Sequence, residues 1–175
     1  IQMKKFLFIP LVCFVISCAT APGPHPDFAK NVETAKLLFE LQGTEADLDK
    51  QVALAHPDLE WQAAFHGAGL LNKEAYGPYL KAWHDLMDDV VFTPVNWLPG
   101  VSADTGLPDG SVRTYGKWTG NHTETGKSWE LISYHTFDFQ DGLIVAGGDY
   151  FDAGGLIASL QVEDTDNQDH GEDHE

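Results

Sequence analysis

The sequence predicts an α+β domain, with helices packed on one face of a curved, mostly antiparallel sheet. Three observations predict it. Apolar residues recur at spacings of three and four between Asp27 and about Asp88, interrupted by one short alternating stretch. From Asp89 onward the pattern changes to period two. Turn residues divide that second half into extended segments joined by short connections.

Asp27 is placed to cap a first helix running to about Gln42, with Phe28, Val32, Ala35, Leu38 and Phe39 on one face. Gly43 ends it. Thr44 starts a shorter second helix, with Asp47 at the capping-box distance and Leu48, Val52 and Leu54 on its apolar side. His56-Pro57-Asp58 breaks that pattern, and Leu59–Phe65 alternates as a strand. Gly67 and Gly69 mark a turn. Asn72 caps a third helix to about Asp88, with Tyr76, Tyr79, Leu80, Trp83, Met87 and Val90 as its apolar stripe. Gly77-Pro78 predicts an irregular first turn there. Strands follow over about 89–98, 111–122, 127–139 and 143–151. Gln140-Asp141-Gly142 joins the last two as a tight hairpin, since Asp-Gly supplies the positive φ that such turns need. Gly154-Gly155 ends the final strand, and 161–175 is an acidic tail expected to be disordered.

The first residues read as an address. Lys4 and Lys5 precede an apolar run from Phe6 to Ile16, about a dozen residues where a bilayer core needs roughly 20. Val15-Ile16-Ser17-Cys18 resembles the bacterial lipobox, in which the cysteine is lipidated and becomes the new N-terminus. That resemblance implies a signal peptide over 1–17 and lipid on Cys18. A Pro-rich tether over 18–26 then carries a domain over 27–160. It also implies a place in the cell envelope. Ala19 rather than Asp after the cysteine favours the periplasmic face of the outer membrane.

Composition narrows the functions further. The formal net charge is -17, a surface that repels phosphate backbones and argues against nucleic acid as a partner. Anionic headgroups are repelled too, so membrane attachment rests on the lipid. Cys13 and Cys18 both precede the domain, which leaves it no disulfide, thiolate nucleophile or Cys-based zinc site. His56, His66 and His84 lack His-x-x-x-His spacing, so neither a metal nor any other cofactor is expected. No Gly-x-Ser-x-Gly elbow is present.

Within the domain, His135 stands on the strand that also carries Phe137 and Phe139. If those rings face the core, alternation places Leu131, Ser133 and His135 with them. Asp149 lies on the next strand, across the Asp-Gly hairpin. Asp152 competes with it, because a bulge at Gly147-Gly148 would change which carboxylate faces inward. Trp61, Tyr79, Trp83, Trp118 and Tyr134 are candidate lining residues for an apolar or ring-shaped ligand. Arg113 is expected in an exposed cross-strand ion pair.

The element order, taken with several local motifs, resembles SnoaL-like members of the nuclear transport factor 2-like superfamily. His56-Pro57-Asp58-Leu59-Glu60-Trp61 is similar to the lead-in to that family's first strand. Asp141-Gly142-Leu143-Ile144 is similar to its hairpin before the last strand, and Tyr150-Phe151-Asp152 to that strand's end. Gly110-Ser111-Val112-Arg113-Thr114-Tyr115-Gly116 also looks like such proteins. The resemblance covers about 27–157. It implies a cone-shaped (cystatin-like) fold whose mouth opens to solvent. It implies, too, that Asp149 would abstract a proton while His135 donates or orients. A carboxylate in an apolar cup has the physical means to act so, because lost hydration disfavours its charged form.

Two functions are therefore expected. One is a lipid-anchored domain holding a small apolar molecule in an aromatic-lined cup without catalysis. The other is a cofactor-independent isomerase, cyclase, dehydratase or other lyase using Asp149 and His135. A homodimer, or an envelope-protein contact through the sheet, is a further expectation from the resemblance.

Overall fold

The computed structural model of the chain describes residues 23–43 and 47–161. The expected signal segment, Cys18 with its expected lipidation, Thr44 and the acidic run beyond Gln161 lie outside them. The elements are α1 (Phe28–Gln42), α2 (Leu48–Ala53), β1 (Ala55–Gln62), β2 (Leu70–Leu71), α3 (Lys73–Leu86), β3 (Met87–Val101), β4 (Pro108–His122), β5 (Ser128–Gln140), β6 (Leu143–Tyr150) and α4 (Ala153–Gln161). The strands form one six-stranded sheet in the order β2-β1-β6-β5-β4-β3. All neighbours are antiparallel except β1 and β6, which run parallel. The α+β expectation holds. Helix α1 lies against β3 and β4, and α3 against β1 and β3, so the helices close one face of the bent sheet.

Local chemistry accounts for most boundaries. Asn72 Oδ1 accepts from Ala75 N at 2.9 Å and starts α3 as its sequence position predicts. Asp141 and Gly142 both take positive φ, 54° and 81°, in the predicted hairpin. The core is continuous: Leu38 and Phe39 from α1, Leu59 and Trp61 from β1, Leu80 from α3, Val112 from β4 and Phe137 from β5.

Four features differ from the sequence reading. Strand β1 begins at Ala55 and ends at Gln62, so His56-Pro57-Asp58 lies inside it. Its pairing with β6 skips from Ala55 to Glu60, and Pro57 falls in that gap, where no ladder N–H is needed. Helix α3 runs unbroken through Pro78, because the carbonyl of Glu74 that loses its partner lies on an exposed turn. It stops at Leu86, where Met87 turns to extended backbone and opens β3. Gly154-Gly155 does not simply end a strand. The glycines sit in the first turn of α4, where Gly155 N donates to Asp152 Oδ1 at 2.8 Å. A side chain at Gly155 would overlap that carboxylate. Leu156 and Leu160 of α4 are buried in the core.

Candidate functional site

Alternation along β5 builds the site. Ser133, His135 and Phe137 are buried, and the residues between them turn to the other face. His135 pairs directly with Asp149 of β6. A bulge does change the parity of β6, but at Val145, between Phe139↔Ile144 and Asp138↔Ala146; from there to Tyr134↔Tyr150 the register runs unbroken through Gly147-Gly148 and sets Asp149 opposite His135. The glycines serve a different purpose. A Cβ at Gly147 would overlap the indole of Trp61 and the carbonyl of Thr136. The bare backbone lets Trp61, paired with Gly147 across β1 and β6, lie close enough to reach Asp149.

Asp149 is held on both oxygens. His135 Nδ1 stands 2.8 Å from Oδ1. Trp61 Nε1 donates to Oδ2 at 2.9 Å, and Tyr79 Oη donates to the same oxygen at 2.7 Å. The other side of the imidazole fixes its tautomer. Trp118 Nε1 lies 3.0 Å from His135 Nε2, and an indole N–H only donates. Nε2 must therefore be the bare nitrogen. The proton sits on Nδ1 and is given to Asp149. Ser133 Oγ, 2.8 Å from Nε2, completes the shell as a second donor.

Two phenols border the carboxylate. Burial first, then the charge of Asp149 and its hydrogen bond, push the Tyr79 hydroxyl far above its ordinary value of 10.0. Burial and the same charge push Tyr76 up as well. Both stay neutral donors. Tyr76 Oη is buried with no partner among the described residues. A carboxylate offers about four acceptor positions. Three are filled in this cluster, which leaves one for a ligand or a proton.

His135 and Asp149 line a half-open cavity of about 70 Å³, with Gln42, Trp83, Met87, Val90, Trp118, Trp129, Leu131, Phe151 and Leu156 around it. Phe39 and Phe92 pack edge-on against the imidazole, at centroid distances of 4.8 and 5.7 Å, and keep that side dry. A wider groove of about 810 Å³ passes Glu60, Gln62, Thr136 and Asp138 and also reaches Asp149 and Phe151, but it lies open to solvent and suits an apolar molecule less well.

Of the candidates read from sequence, Asp149, His135, Trp61, Tyr79, Trp83 and Trp118 converge on this point. Tyr134 does not. The alternation that turns His135 inward turns Tyr134 outward, where it stacks between Tyr115 and Tyr150 at 4.6 and 5.7 Å. Asp152 does not either, since its carboxylate caps α4. Arg113 is paired across the sheet with Asp138 at 2.9 Å, as its strand position suggested. The sequence reading missed Trp129, Leu156 and Tyr76 as parts of the site. Trp129 shares the parity of His135 on β5 and was recoverable from it. Leu156 was not, because α4 carries no polar face to mark it as a helix. Among the described residues no group of His, Cys, Asp and Glu is gathered as a metal ion would require.

Solved structures carry the same fold. A protein assigned as a SnoaL-like polyketide cyclase from a Jannaschia species superposes with a TM-score of 0.64 at 16% identity, over 82% of this chain and 99% of that one. A protein assigned as an isomerase from Bacillus subtilis gives 0.63 at 20% identity, over 77% of this chain and 96% of that one. A nuclear transport factor 2-like protein of unknown function from Burkholderia pseudomallei gives 0.58 at 18% identity, over 76% and 98%. No family model matches the chain. No curated protein matches it either. At these identities the likeness establishes the fold alone: the chain has the nuclear transport factor 2-like fold, with an aromatic cluster inside the cone.

Proposed function

We propose that the domain holds a small, largely apolar molecule inside the cone, with the Asp149–His135 pair as its polar anchor. One observation carries this reading. The two side chains meet at 2.8 Å on the wall of a small, mostly apolar, half-open cavity whose other polar side chain is Gln42. Buried charge is costly and is retained where it is fully hydrogen-bonded. In this cone it faces a space rather than a packed neighbour. Cavities that hold drug-sized ligands run to roughly 300–1,000 Å³. The occupant of this one is therefore a molecule of a few heavy atoms, or one that displaces part of the wall.

Ligand stabilisation tests it. A molecule that binds only the folded chain at a hundredfold excess over Kd adds about 2.7 kcal/mol to stability. Thermal unfolding and tryptophan fluorescence of the chain are expected to respond to small cyclic ketones. A panel of such compounds that moves neither signal would remove the binding role.

The open acceptor position on Asp149 favours a second reading, proton transfer at carbon. Asp149 would take a proton from the carbon beside a ligand carbonyl. The C–H pair becomes a C=C bond, the C=O pair moves to oxygen, and reversal returns the proton. His135, with both nitrogens engaged, acts as a positioning residue that keeps Asp149 in place. In deuterated buffer the chain should incorporate deuterium beside the carbonyl of a bound ketone. Asp149→Asn should stop the exchange without unfolding the domain. Undiminished exchange in that variant would eliminate Asp149 as the base.

The envelope address belongs to this proposal too. Lipid on Cys18 would hold the domain at the periplasmic face of the outer membrane. Labelling with an alkynyl fatty acid, lost in Cys18→Ser, is the expected result; equal labelling of both would discard the anchor.

A further inference from the structure

The cavity wall carries a polar atom that nothing in the site uses. Trp129 Nε1 is buried and has no hydrogen-bond partner among the described residues. Its indole lines the same cavity as His135 and Asp149. The ring lies over Gly120, where a Cβ would crowd its six-membered half, so the neighbouring strand holds it in place. Two other indoles at the site differ. Trp61 Nε1 is spent on Asp149, and Trp118 Nε1 on His135. An indole N–H donates and cannot accept. Left unmet while buried, it costs stability that an acceptor reaching it from the cavity would restore.

From this we infer that Trp129 is the specificity-determining donor of the cup and that the ligand presents a neutral acceptor oxygen to it. A ketone or aldehyde carbonyl fits. A carboxylate or phosphate does not, because the Asp149 carboxylate borders the same small space and the chain is strongly acidic overall. The ligand's remaining surface is apolar, to match Trp83, Met87, Val90, Leu131 and Leu156. This inference rests on the binding role proposed above and names the chemistry that role would select.

Two probes of one shape separate the ideas. Cyclobutanone and methylenecyclobutane differ only in an oxygen against a methylene. The indole N–H resonances of the full chain, labelled with nitrogen-15, are followed during titration with each, and Trp129 is assigned from Trp129→Phe. Cyclobutanone should move the Trp129 resonance downfield, and it should bind about fivefold more tightly than the hydrocarbon, as one neutral hydrogen bond allows. Trp129→Phe should erase that preference, so that the two probes bind the variant with equal affinity whatever that affinity is. Equal affinity for both probes in the unaltered chain overturns the donor assignment while the binding cup stands. So does ketone binding that leaves the Trp129 resonance in place. Binding of neither probe removes the cup itself, and the donor role with it.

Discussion

Of the three histidines buried among the described residues, His84, His122 and His135, the first and last are held in opposite ways. His135 is 1% exposed and His84 6%. His135 has both ring nitrogens satisfied and faces a carboxylate across the sheet. His84 stands on α3 and shares one nitrogen, Nε2, with Gln51 Oε1 at 2.9 Å. Its Nδ1 is buried with no partner among the described residues. Gln51 in turn donates to Gln42 Oε1 at 2.8 Å and to the carbonyl of Leu38 at 3.1 Å. That cluster is made of amides and ties α1, α2 and α3 together. The β-sheet cluster buries a carboxylate and surrounds it with donors. Neutral amides lock helices at modest cost. A charge in a dry cone is worth keeping only if the donors around it are complete, or if the charge has a task. The contrast therefore separates a packing device from a candidate site although both contain a buried histidine.

The largest effect that would sharpen this contrast comes from the carboxylate. Asp149→Leu leaves Trp61, Tyr79 and His135 without their common acceptor. Three buried neutral donors lose their acceptor at once, at about 1–3 kcal/mol for each left unmet, read as a fall in the urea midpoint. A loss near zero would mean that water already serves those donors and that the cone is wet. Tyr79→Phe is the milder version. It removes one of three donors and keeps the charge paired, so about 1.5–3 kcal/mol is expected from a hydrogen bond to an ionised group. If it costs as much as Asp149→Leu, Trp61 and His135 do not share the load of the carboxylate with Tyr79.

Much of this was legible in the sequence, for reasons that differ by residue. The face of β5 follows from period two, and the partner of β5 follows from the Asp141-Gly142 turn. Together they bring the two strands side by side but leave the register one residue out: the turn alone sets Gly148 opposite His135, and a bulge at Val145, which nothing in the sequence marks, moves Asp149 into that place. Tyr134 was equally legible, since the parity that selects His135 rejects it. The arrival of Trp61 was not legible as a contact. It depends on β1 pairing in parallel with β6, a register set by no turn between them and permitted by Gly147. Helix α4 escaped for a compositional reason. Ala-Gly-Gly-Leu-Ile-Ala-Ser-Leu-Gln is apolar and glycine-rich, so neither period stands out, and its cap, Asp152, reads as readily as a strand end.

The smallest effect lies in the helix cluster and depends on pH. Burial holds the His84 imidazole below its ordinary value of 6.5, with the charge of Asp85 opposing that shift. The hydrogen bonds agree. Gln51 Oε1 takes the Nε2 proton, so a second proton would have to go to Nδ1, which has nothing to receive it. As pH falls through about 6.5 the unfolded chain gains this proton before the folded one does. The contribution is therefore complete above about pH 6.5 and declines below it, toward the lowered folded value. Other groups titrate in the same range, so the test is a difference. Urea unfolding of the unaltered chain and of His84→Gln is compared at about pH 7.5 and about pH 5. The unaltered chain should lose more stability on acidification than the variant, which keeps an amide facing Gln51 and has no proton to gain. Equal losses would show that the His84 pocket accepts charge, and that His84 and His135 differ less than their partners suggest.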